Sequence, residues 1–184
     1  MLRVITGTAK GIHLKVPNTG LRPATDLVRG SIFAMLENLT DDWSRVLDIF
    51  SGSGALGIEA LSRGADWVDF VDRERRCCDI IRMNLEKTKF TAQACIYCLP
   101  AAQALSILDK EYSIVIMDPP YADTSIGDVV EQLANSKLIN QDSIVVVTHS
   151  SRFPLKLNYG VLTQFKERRH GDSTISMYRK EKLA

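Results

Sequence analysis

The hydrophobic positions of this chain follow two different spacings between residues 45 and 150. Short runs such as 46–50 and 113–117 are almost wholly apolar, which is typical of parallel strands buried on both faces. The stretches between the runs place apolar residues on one helical face, as in 74–87. The predicted strands are 46–50, 67–71, 94–99, 113–117 and 144–148, and the predicted helices are 55–63, 74–87, 101–108 and 127–134. This alternation predicts an α/β fold with a doubly wound, mostly parallel sheet.

Both ends of the chain depart from this alternation. Residues 2–6 and 13–16 predict a small N-terminal β-hairpin, and a helix then begins near Thr25 and runs to about residue 39. Near the C-terminus, 161–167 and 174–179 alternate polar and apolar residues on either side of a glycine turn, which predicts an antiparallel hairpin. Together with the five parallel strands, this hairpin gives a seven-stranded sheet.

Length and composition are those of one ordinary globular domain. The 184 residues are 45% hydrophobic and 24% charged. No apolar run reaches the roughly 20 residues of a membrane span, and residues 1–4 do not begin a signal peptide. We therefore expect a single cytoplasmic, monomeric domain at 1–184, with an extension at 1–40 and the core at 41–184.

The charge is unevenly distributed, although the net charge is only +1. Residues 1–36 carry +4, residues 37–149 carry −8 and residues 150–184 carry +5. The basic residues at the two ends are either ordinary solvent-exposed charges or a binding surface for a polyanion such as a nucleic acid. The four cysteines are interpreted as reduced packing residues, because Cys95 and Cys98 fall on a predicted strand and point to opposite faces. No metal site is predicted.

A glycine-rich turn follows the first core strand and opens a helix. Gly52, Gly54 and Gly57 fit the pattern G-x-G-x-x-G, and Asp72 lies 20 residues after Gly52, where an acid that binds a ribose belongs. Asp48 lies within the strand itself and would repel a pyrophosphate but attract the amino group of a methionine. The turn therefore favours S-adenosylmethionine over NAD.

Three acids follow or end predicted parallel strands, namely Asp48, Asp72 and Asp118. The carboxyl ends of parallel strands meet at one edge of a sheet, and ligands of open α/β folds bind there. Since like charges raise each other's cost of ionisation, a binding site explains three acids at one edge better than a structural role does.

The third of these acids begins the segment Asp118-Pro119-Pro120-Tyr121. Alone this segment is either a strand-to-loop turn or a functional motif, and it resembles the (D/N)-P-P-(Y/F/W) motif of methyltransferases that act on amino groups conjugated to a ring. In such a site Asp118 and the Pro119 carbonyl accept the hydrogens of the amine, and Tyr121 stacks on the base. Proximity and in-line orientation then favour methyl transfer.

The resemblance extends beyond these two motifs. Segments 20–36, 47–65 and 171–178 are similar to the corresponding segments of the RsmD-type 16S rRNA guanine-N2 methyltransferases, which are Rossmann-like enzymes that use S-adenosylmethionine. Membership of that family implies methyl transfer to the exocyclic N2 of one guanine in 16S rRNA, with the rRNA or an assembling small subunit as partner.

The resemblance also implies a role for each matching position. The candidate catalytic residues are Asp118, Pro119, Pro120 and Tyr121. The candidate cofactor-binding residues are Asp48, Phe50, Ser51, Gly52, Gly54, Asp72, Arg73 and Ala101. The candidate RNA-binding residues are Arg22, Thr25 and Arg29 of the family's N-terminal motif, together with Arg3, Lys10, Lys15, Arg168 and Arg169, which are taken from the basic ends of the chain rather than from the resemblance. The chain departs from the family at Leu27, at Gly30, at Thr148, where many members carry Glu, and near Pro100, where members tend to have an acid or amide for the adenine.

Other functions remain open at this point. An N6-adenine DNA methyltransferase would use the same tetrapeptide for the same chemistry. However, 184 residues leave no room for a separate domain that recognises duplex sequence. A methyltransferase for a small molecule or a protein would leave the basic ends without a purpose. An NAD-dependent dehydrogenase would need a substrate domain, and a non-catalytic module that binds S-adenosylmethionine or RNA would not need Asp118 and Tyr121.

Overall fold

The computed structural model describes residues 1–18 and 24–181. Helices and strands alternate as the hydrophobic pattern predicts. The helices are α1 (Asp26–Glu37), α2 (Ala55–Ser62), α3 (Arg75–Thr88), α4 (Ala101–Ile107) and α5 (Ile126–Ala134), with a short 3-10 helix at Thr91–Gln93. The strands are β1 (Val46–Ile49), β2 (Val68–Val71), β3 (Ala94–Tyr97), β4 (Ile114–Met117), β5 (Ile144–Ser150), β6 (Asn158–Tyr159), β7 (Leu162–His170) and β8 (Ser173–Lys180).

The strands form one sheet in the order β3-β2-β1-β4-β5-β8-β7-β6. The first five strands are parallel, and β8, β7 and β6 continue the sheet in antiparallel pairing. The predicted doubly wound α/β sheet with a C-terminal hairpin is therefore confirmed. The difference is an eighth strand, β6, which has only two residues and so gives too short a pattern to recognise in sequence.

Each parallel strand sends alternate residues to opposite faces of the sheet. On β1, Val46 packs into a core with α1, α2 and α3, whereas Leu47 and Ile49 pack into a second core with α4 and α5. On β4, Ile114 and Ile116 share the face of Val46. Side chains at equivalent positions of neighbouring strands project from the same face of the sheet. This alternation therefore determines which side chains at the strand ends can contact each other.

The N-terminal segment folds back on itself in antiparallel pairing, which is shorter than the predicted hairpin. A bridge joins Arg3 to His13, and it is flanked by hydrogen bonds from the Val4 amide to the Ile12 carbonyl and from the Leu14 amide to the Leu2 carbonyl, both at 3.0 Å. The backbone amides of Ile5 and Thr6 donate instead to the carboxylate of Glu59 on α2, at 2.7 and 2.9 Å. The segment is thus anchored on α2 as well as on its own second strand.

Among the helices of the described residues, none is long and apolar enough to cross a membrane. The four cysteines are free thiols, with Cys77 and Cys78 buried, Cys95 partly buried and Cys98 exposed. No cluster of metal-ligating side chains occurs within residues 1–18 and 24–181.

Candidate active site

A cavity of about 840 Å³ opens at the carboxyl ends of the central parallel strands. Its wall is formed by residues 16–18, the start of α1, the turn after β1, the segment after β2, the start of α4 and the segment after β4. The strand order reverses between β1 and β4, which is the place where open α/β sheets bind their ligands. The volume lies within the range of roughly 300–1,000 Å³ that is usual for small-molecule sites.

The turn between β1 and α2 is built from residues with left-handed backbone conformations. Gly52 and Gly54 have φ angles of 56° and 77°, and Phe50 has a φ of 62°. A left-handed conformation costs a residue with a side chain about 1 kcal/mol, and such residues cluster at functional sites. Phe50, Ser51 and Gly52 line the cavity, and Gly54 is the N-cap of α2.

Asp72 closes this turn from the neighbouring strand. Its Oδ2 accepts the backbone N–H of Gly52 at 2.8 Å, and its Oδ1 accepts the N–H of Glu74 at 2.9 Å. The carboxylate is half-buried in the cavity wall, and each oxygen keeps a lone pair for a further donor. Two hydroxyl groups of a ribose are suitable donors. Arg73 also lines the cavity, but its side chain is exposed and pairs with Glu74 at 3.2 Å.

Asp48 lies beneath the turn and outside the residues that line the cavity. Its Oδ2 accepts the N–H of Gly57 at 2.9 Å, and its Oδ1 has no hydrogen-bond partner among residues 1–18 and 24–181. Burial, together with the nearby charges of Asp118 and Asp72, raises the pKa of Asp48 to about 8. The carboxyl group thus supports the first turn of α2, and its free oxygen is a buried acceptor that faces no protein donor.

Asp118 stands one residue beyond the end of β4, and Thr148 is its cross-strand neighbour on β5. The register pairs Ile114 with Ile144 and Ile116 with Val146, so residues 118 and 148 continue the same row. The hydroxyl group of Thr148, which is fully buried, donates to Oδ1 of Asp118. The carboxylate also accepts the backbone N–H of Ala24. Burial raises the pKa of Asp118, and these two hydrogen bonds oppose that rise.

The residues that follow Asp118 bend the chain across the mouth of the cavity. Asp118, Pro119, Pro120 and Tyr121 all line it. The hydroxyl group of Tyr121 donates to the Oγ of Ser173 at 2.6 Å, which connects this segment to the β7–β8 hairpin. No backbone donor in the described part of the chain reaches the carbonyl of Pro119. Asp118, Pro119 and Tyr121 therefore line one cavity, and the Pro119 carbonyl accepts no backbone hydrogen bond from the described residues.

The opposite part of the wall is apolar. Val71, Cys77, Leu99 and Ala101 line it, and Ala101 begins α4. A flat aromatic ring fits such a lining through burial of apolar surface. The sequence has no acid near Pro100 on this part of the wall, and α4 begins there with Ala101.

Three of the predicted RNA-binding residues lie near the cavity. Thr25 is the N-cap of α1 and lines the cavity, and Lys15 is exposed next to residues 16–18 of its wall. Arg29 also lines it, but its guanidinium is fully buried and donates to the Arg3 carbonyl at 2.8 Å and to Asp26 at 2.7 Å. Arg29 therefore ties the N-terminal segment to α1 in this conformation.

The other predicted basic residues are dispersed. Lys10 is exposed on a turn whose Thr8 amide donates to the Ser62 carbonyl, at the far end of α2 from the glycine turn. The side chain of Arg3 is exposed on the N-terminal segment. Arg168 and Arg169 are exposed near the tip of the β7–β8 hairpin. Arg22 lies outside the described residues.

Three participants of the site were not predicted from sequence, namely Thr148 as the partner of Asp118, the amide of Ala24 and the hydroxyl of Ser173. The Thr148 contact follows from strand register, which sequence spacing alone does not give. A backbone amide such as that of Ala24 has no sequence signature, and Ser173 is identified only once the hairpin is seen beside Tyr121.

Known proteins resemble this chain over its whole length. Residues 2–179 match the model of the family described as "Conserved hypothetical protein 95". The Bacillus subtilis protein named "Putative rRNA methyltransferase YlbH" is 34% identical over 97% of this chain and 99% of its own. The Escherichia coli protein named "Ribosomal RNA small subunit methyltransferase D" is 32% identical over 79% of this chain and 73% of its own.

A solved structure supports the same relationship. The structure described as "Putative methyltransferase yhhF from Escherichia coli" superposes with a TM-score of 0.86, at 28% identity and with 99% of both chains covered. This protein therefore belongs to the family of RsmD-type methyltransferases, as its glycine turn and Asp-Pro-Pro-Tyr segment indicate.

Proposed function

We propose that this protein transfers a methyl group from S-adenosylmethionine to the exocyclic N2 of a guanine in 16S rRNA, either free or in an assembling small subunit. One observation carries the proposal: Asp118, Pro119 and Tyr121 open into the same cavity as the glycine turn and Asp72. The name of the B. subtilis relative supports rRNA as the substrate, and the name of the E. coli relative supports rRNA of the small subunit.

The cavity has the donors and acceptors that the cofactor requires. S-adenosylmethionine, when bound, supplies an electrophilic methyl group on a sulfonium. Asp72, Leu99 and Ala101 line the cavity; Asp72 would accept the ribose hydroxyls, and Leu99 and Ala101 would cover the adenine. The unpartnered oxygen of Asp48 lies near the turn that would receive the cationic amino group of the methionine end, and a cation would favour the ionised form of this carboxyl.

The segment after β4 carries the groups that bind and orient the exocyclic amine of the target base. An exocyclic amine on a ring is a weak nucleophile, because its lone pair is delocalised into the ring. Asp118 and the free carbonyl of Pro119 accept its two hydrogens, which directs the lone pair towards the methyl group. Asp118 then accepts the proton that nitrogen loses after transfer, and its raised pKa suits it to that step.

Tyr121 provides the surface on which the base lies. About 40% of its side chain is exposed, and its hydroxyl group is held by Ser173. A base that is paired within a duplex cannot reach this depth at the edge of the sheet. The target guanine therefore lies in an unpaired segment or leaves its stack to enter the cavity.

The test uses the purified protein, methyl-labelled S-adenosylmethionine and unmodified 16S rRNA or small subunits. We expect the wild type to label the rRNA, and Asp118→Ala to bind S-adenosylhomocysteine normally while transfer falls by about 10³-fold or more. Cofactor binding by the wild type without transfer to any RNA would contradict the proposal. Equal loss of binding and transfer in Asp118→Ala would remove the role of Asp118.

A further inference from the structure

The loop between β5 and β6 presents an exposed aromatic ring between basic residues. Phe153 is 66% exposed, and Arg152 and Lys156 beside it are exposed as well. A single exposed phenylalanine is ordinary on a protein surface. The position of this one within the fold and its charged surroundings distinguish it.

The loop is fastened to the edge of the sheet that carries the cavity. Ser150, the last residue of β5, pairs with Ser173 of β8, and the amide of Phe153 donates to the Ser150 carbonyl at 3.0 Å. The amide of Ser151 donates to the Asp172 carbonyl at 2.8 Å. These bonds hold Phe153 at the carboxyl end of β5 rather than on a free loop.

Tyr121 is attached to the same pair of residues, because its hydroxyl group donates to Ser173. Two residues with exposed aromatic rings are therefore bonded to the two members of one cross-strand pair, Tyr121 through its hydroxyl group to Ser173 and Phe153 through its backbone amide to Ser150. Tyr121 lines the cavity, whereas Phe153 lies outside its wall. Both residues lie at the edge of the sheet where the parallel strands end.

The charges around Phe153 favour a polyanion. Arg152 precedes it, and Arg169 lies across the hairpin tip, where its Nε donates to the Gly171 carbonyl at 2.8 Å. Within the described residues, neither arginine has an acidic partner in a salt bridge. Asp172 is the acid in the hairpin turn, but residues 150–184 carry a net charge of +5.

We propose that Phe153 is a stacking platform for an unpaired base of the RNA next to the base held at Tyr121, and that Arg152 and Arg169 bind the phosphates on either side. This inference rests on the proposed function and specifies the form of the substrate. An aromatic side chain stacks only on a base that has left its own stack, so the RNA is single-stranded beyond the target guanine as well as at it. Guanidinium groups bind phosphate through paired N–H donors.

The test measures RNA binding without turnover. The probe is a fluorescent single-stranded RNA of about 12 nucleotides, comparable to the site size of single-strand-binding proteins, and its duplex is the comparison. We expect Phe153→Ala to weaken binding of the single strand by about tenfold and Phe153→Trp to preserve it. Leu157→Ala is the matched control, because Leu157 is also 66% exposed on the same loop. Its binding should stay within about twofold of the wild type.

Three results would overturn the inference. Phe153→Ala could bind the single strand as well as Leu157→Ala does, or it could weaken duplex binding to the same extent. It could also keep its affinity for RNA and lose activity only on subunits that contain ribosomal proteins, which would mark a protein contact. Affinity for S-adenosylhomocysteine should be unchanged in every variant, which separates a binding defect from misfolding. If the wild type methylates no rRNA, the proposed function fails independently of these binding results.

Discussion

The buried hydroxyl group of Thr148 donates its hydrogen to the carboxylate of Asp118. The two residues lie in one row across β4 and β5, so the sheet itself sets the orientation of the carboxylate. This hydrogen bond also opposes the effect of burial, which raises the pKa of Asp118. Thr148 is therefore a positioning residue that favours the ionised form of Asp118.

Thr148→Val removes this hydroxyl group and keeps the shape of the side chain. We expect kcat to fall by roughly 10- to 100-fold, the range that loss of a hydrogen bond to a charged group gives. The pKa of Asp118 should rise further, so the pH at which activity is lost on acidification should move upwards. Thr148→Ser is the control and should restore both quantities. A Val variant with an unchanged pH profile would show that Thr148 has only a packing role.

Asp72 should act on the cofactor rather than on the transfer step. Its carboxylate accepts the Gly52 and Glu74 amides and faces the cavity, so Asp72→Ala removes the acceptor for the ribose and loosens the turn. We expect the Kd for S-adenosylhomocysteine, measured by calorimetry, to increase by roughly 10- to 100-fold. Asp66→Ala, which removes an exposed acid outside the cavity wall, should leave it unchanged. Unaltered affinity in Asp72→Ala would contradict the assignment.

Asp48 should lower the stability of the empty protein as the pH rises. Its pKa is raised from 3.8 to about 8, so its contribution to stability is complete below about pH 4 and is lost as the pH rises through about 8. Asp48→Asn keeps an acceptor for Gly57 and carries no charge. We expect the variant to exceed the wild type at pH 8 by roughly 1–3 kcal/mol in unfolding free energy, because the wild type must take up a proton at Asp48 when it folds at that pH.

Thermal melts of both proteins at several pH values check this prediction. The difference in Tm should shrink as the pH falls towards 4, because the unfolded wild type then also binds a proton at Asp48 and folding no longer requires proton uptake. If the difference is the same at pH 5 and pH 8, Asp48 does not titrate in this range. The same substitution should weaken cofactor binding, if the buried oxygen receives the cationic end of the cofactor.

Glu59 anchors the N-terminal segment on α2. The carboxylate is fully buried and accepts the amides of Ile5 and Thr6 as well as Nε of Arg63 at 2.9 Å. Glu59→Ala leaves these donors without a partner, and we expect a loss of about 3 kcal/mol in unfolding free energy in urea. Glu37→Ala removes the exposed second partner of Arg63 and should cost at most about 1 kcal/mol. Equal effects of the two substitutions would refute the anchoring role of Glu59.

Much of the fold could be predicted from the sequence, because burial on both faces leaves a plain apolar signature in 46–50 and 113–117. The glycine turn and the tetrapeptide were equally visible, since their chemistry depends on residues that are adjacent in the chain. The contacts of Glu59 and Thr148 were not visible. Each contact joins positions separated by at least 30 residues. The Thr148 contact depends on the register of β4 and β5, and the Glu59 contact depends on how the N-terminal segment packs on α2.

The predicted N-terminal hairpin is present, but its pairing is confined to a short stretch around Arg3 and His13. Residues 2–6 have the alternation of a strand, but a buried carboxylate from α2 takes two of their amides.

The placement of the basic residues could not be inferred either. Charge counts show that the ends are basic, whereas only the structure separates Lys10, at the far end of α2, from Lys15 beside the cavity.

Identification of the methylated nucleoside tests the central proposal most directly. Wild-type protein is incubated with labelled S-adenosylmethionine and, separately, with unmodified 16S rRNA, small subunits lacking the modification, and duplex DNA, and each product is digested to nucleosides. We expect the label in N2-methylguanosine from the rRNA or the subunits and none in the DNA. Label in an N6-methylated adenine would contradict guanine-N2 transfer and would instead indicate an adenine methyltransferase with the same Asp118–Tyr121 site.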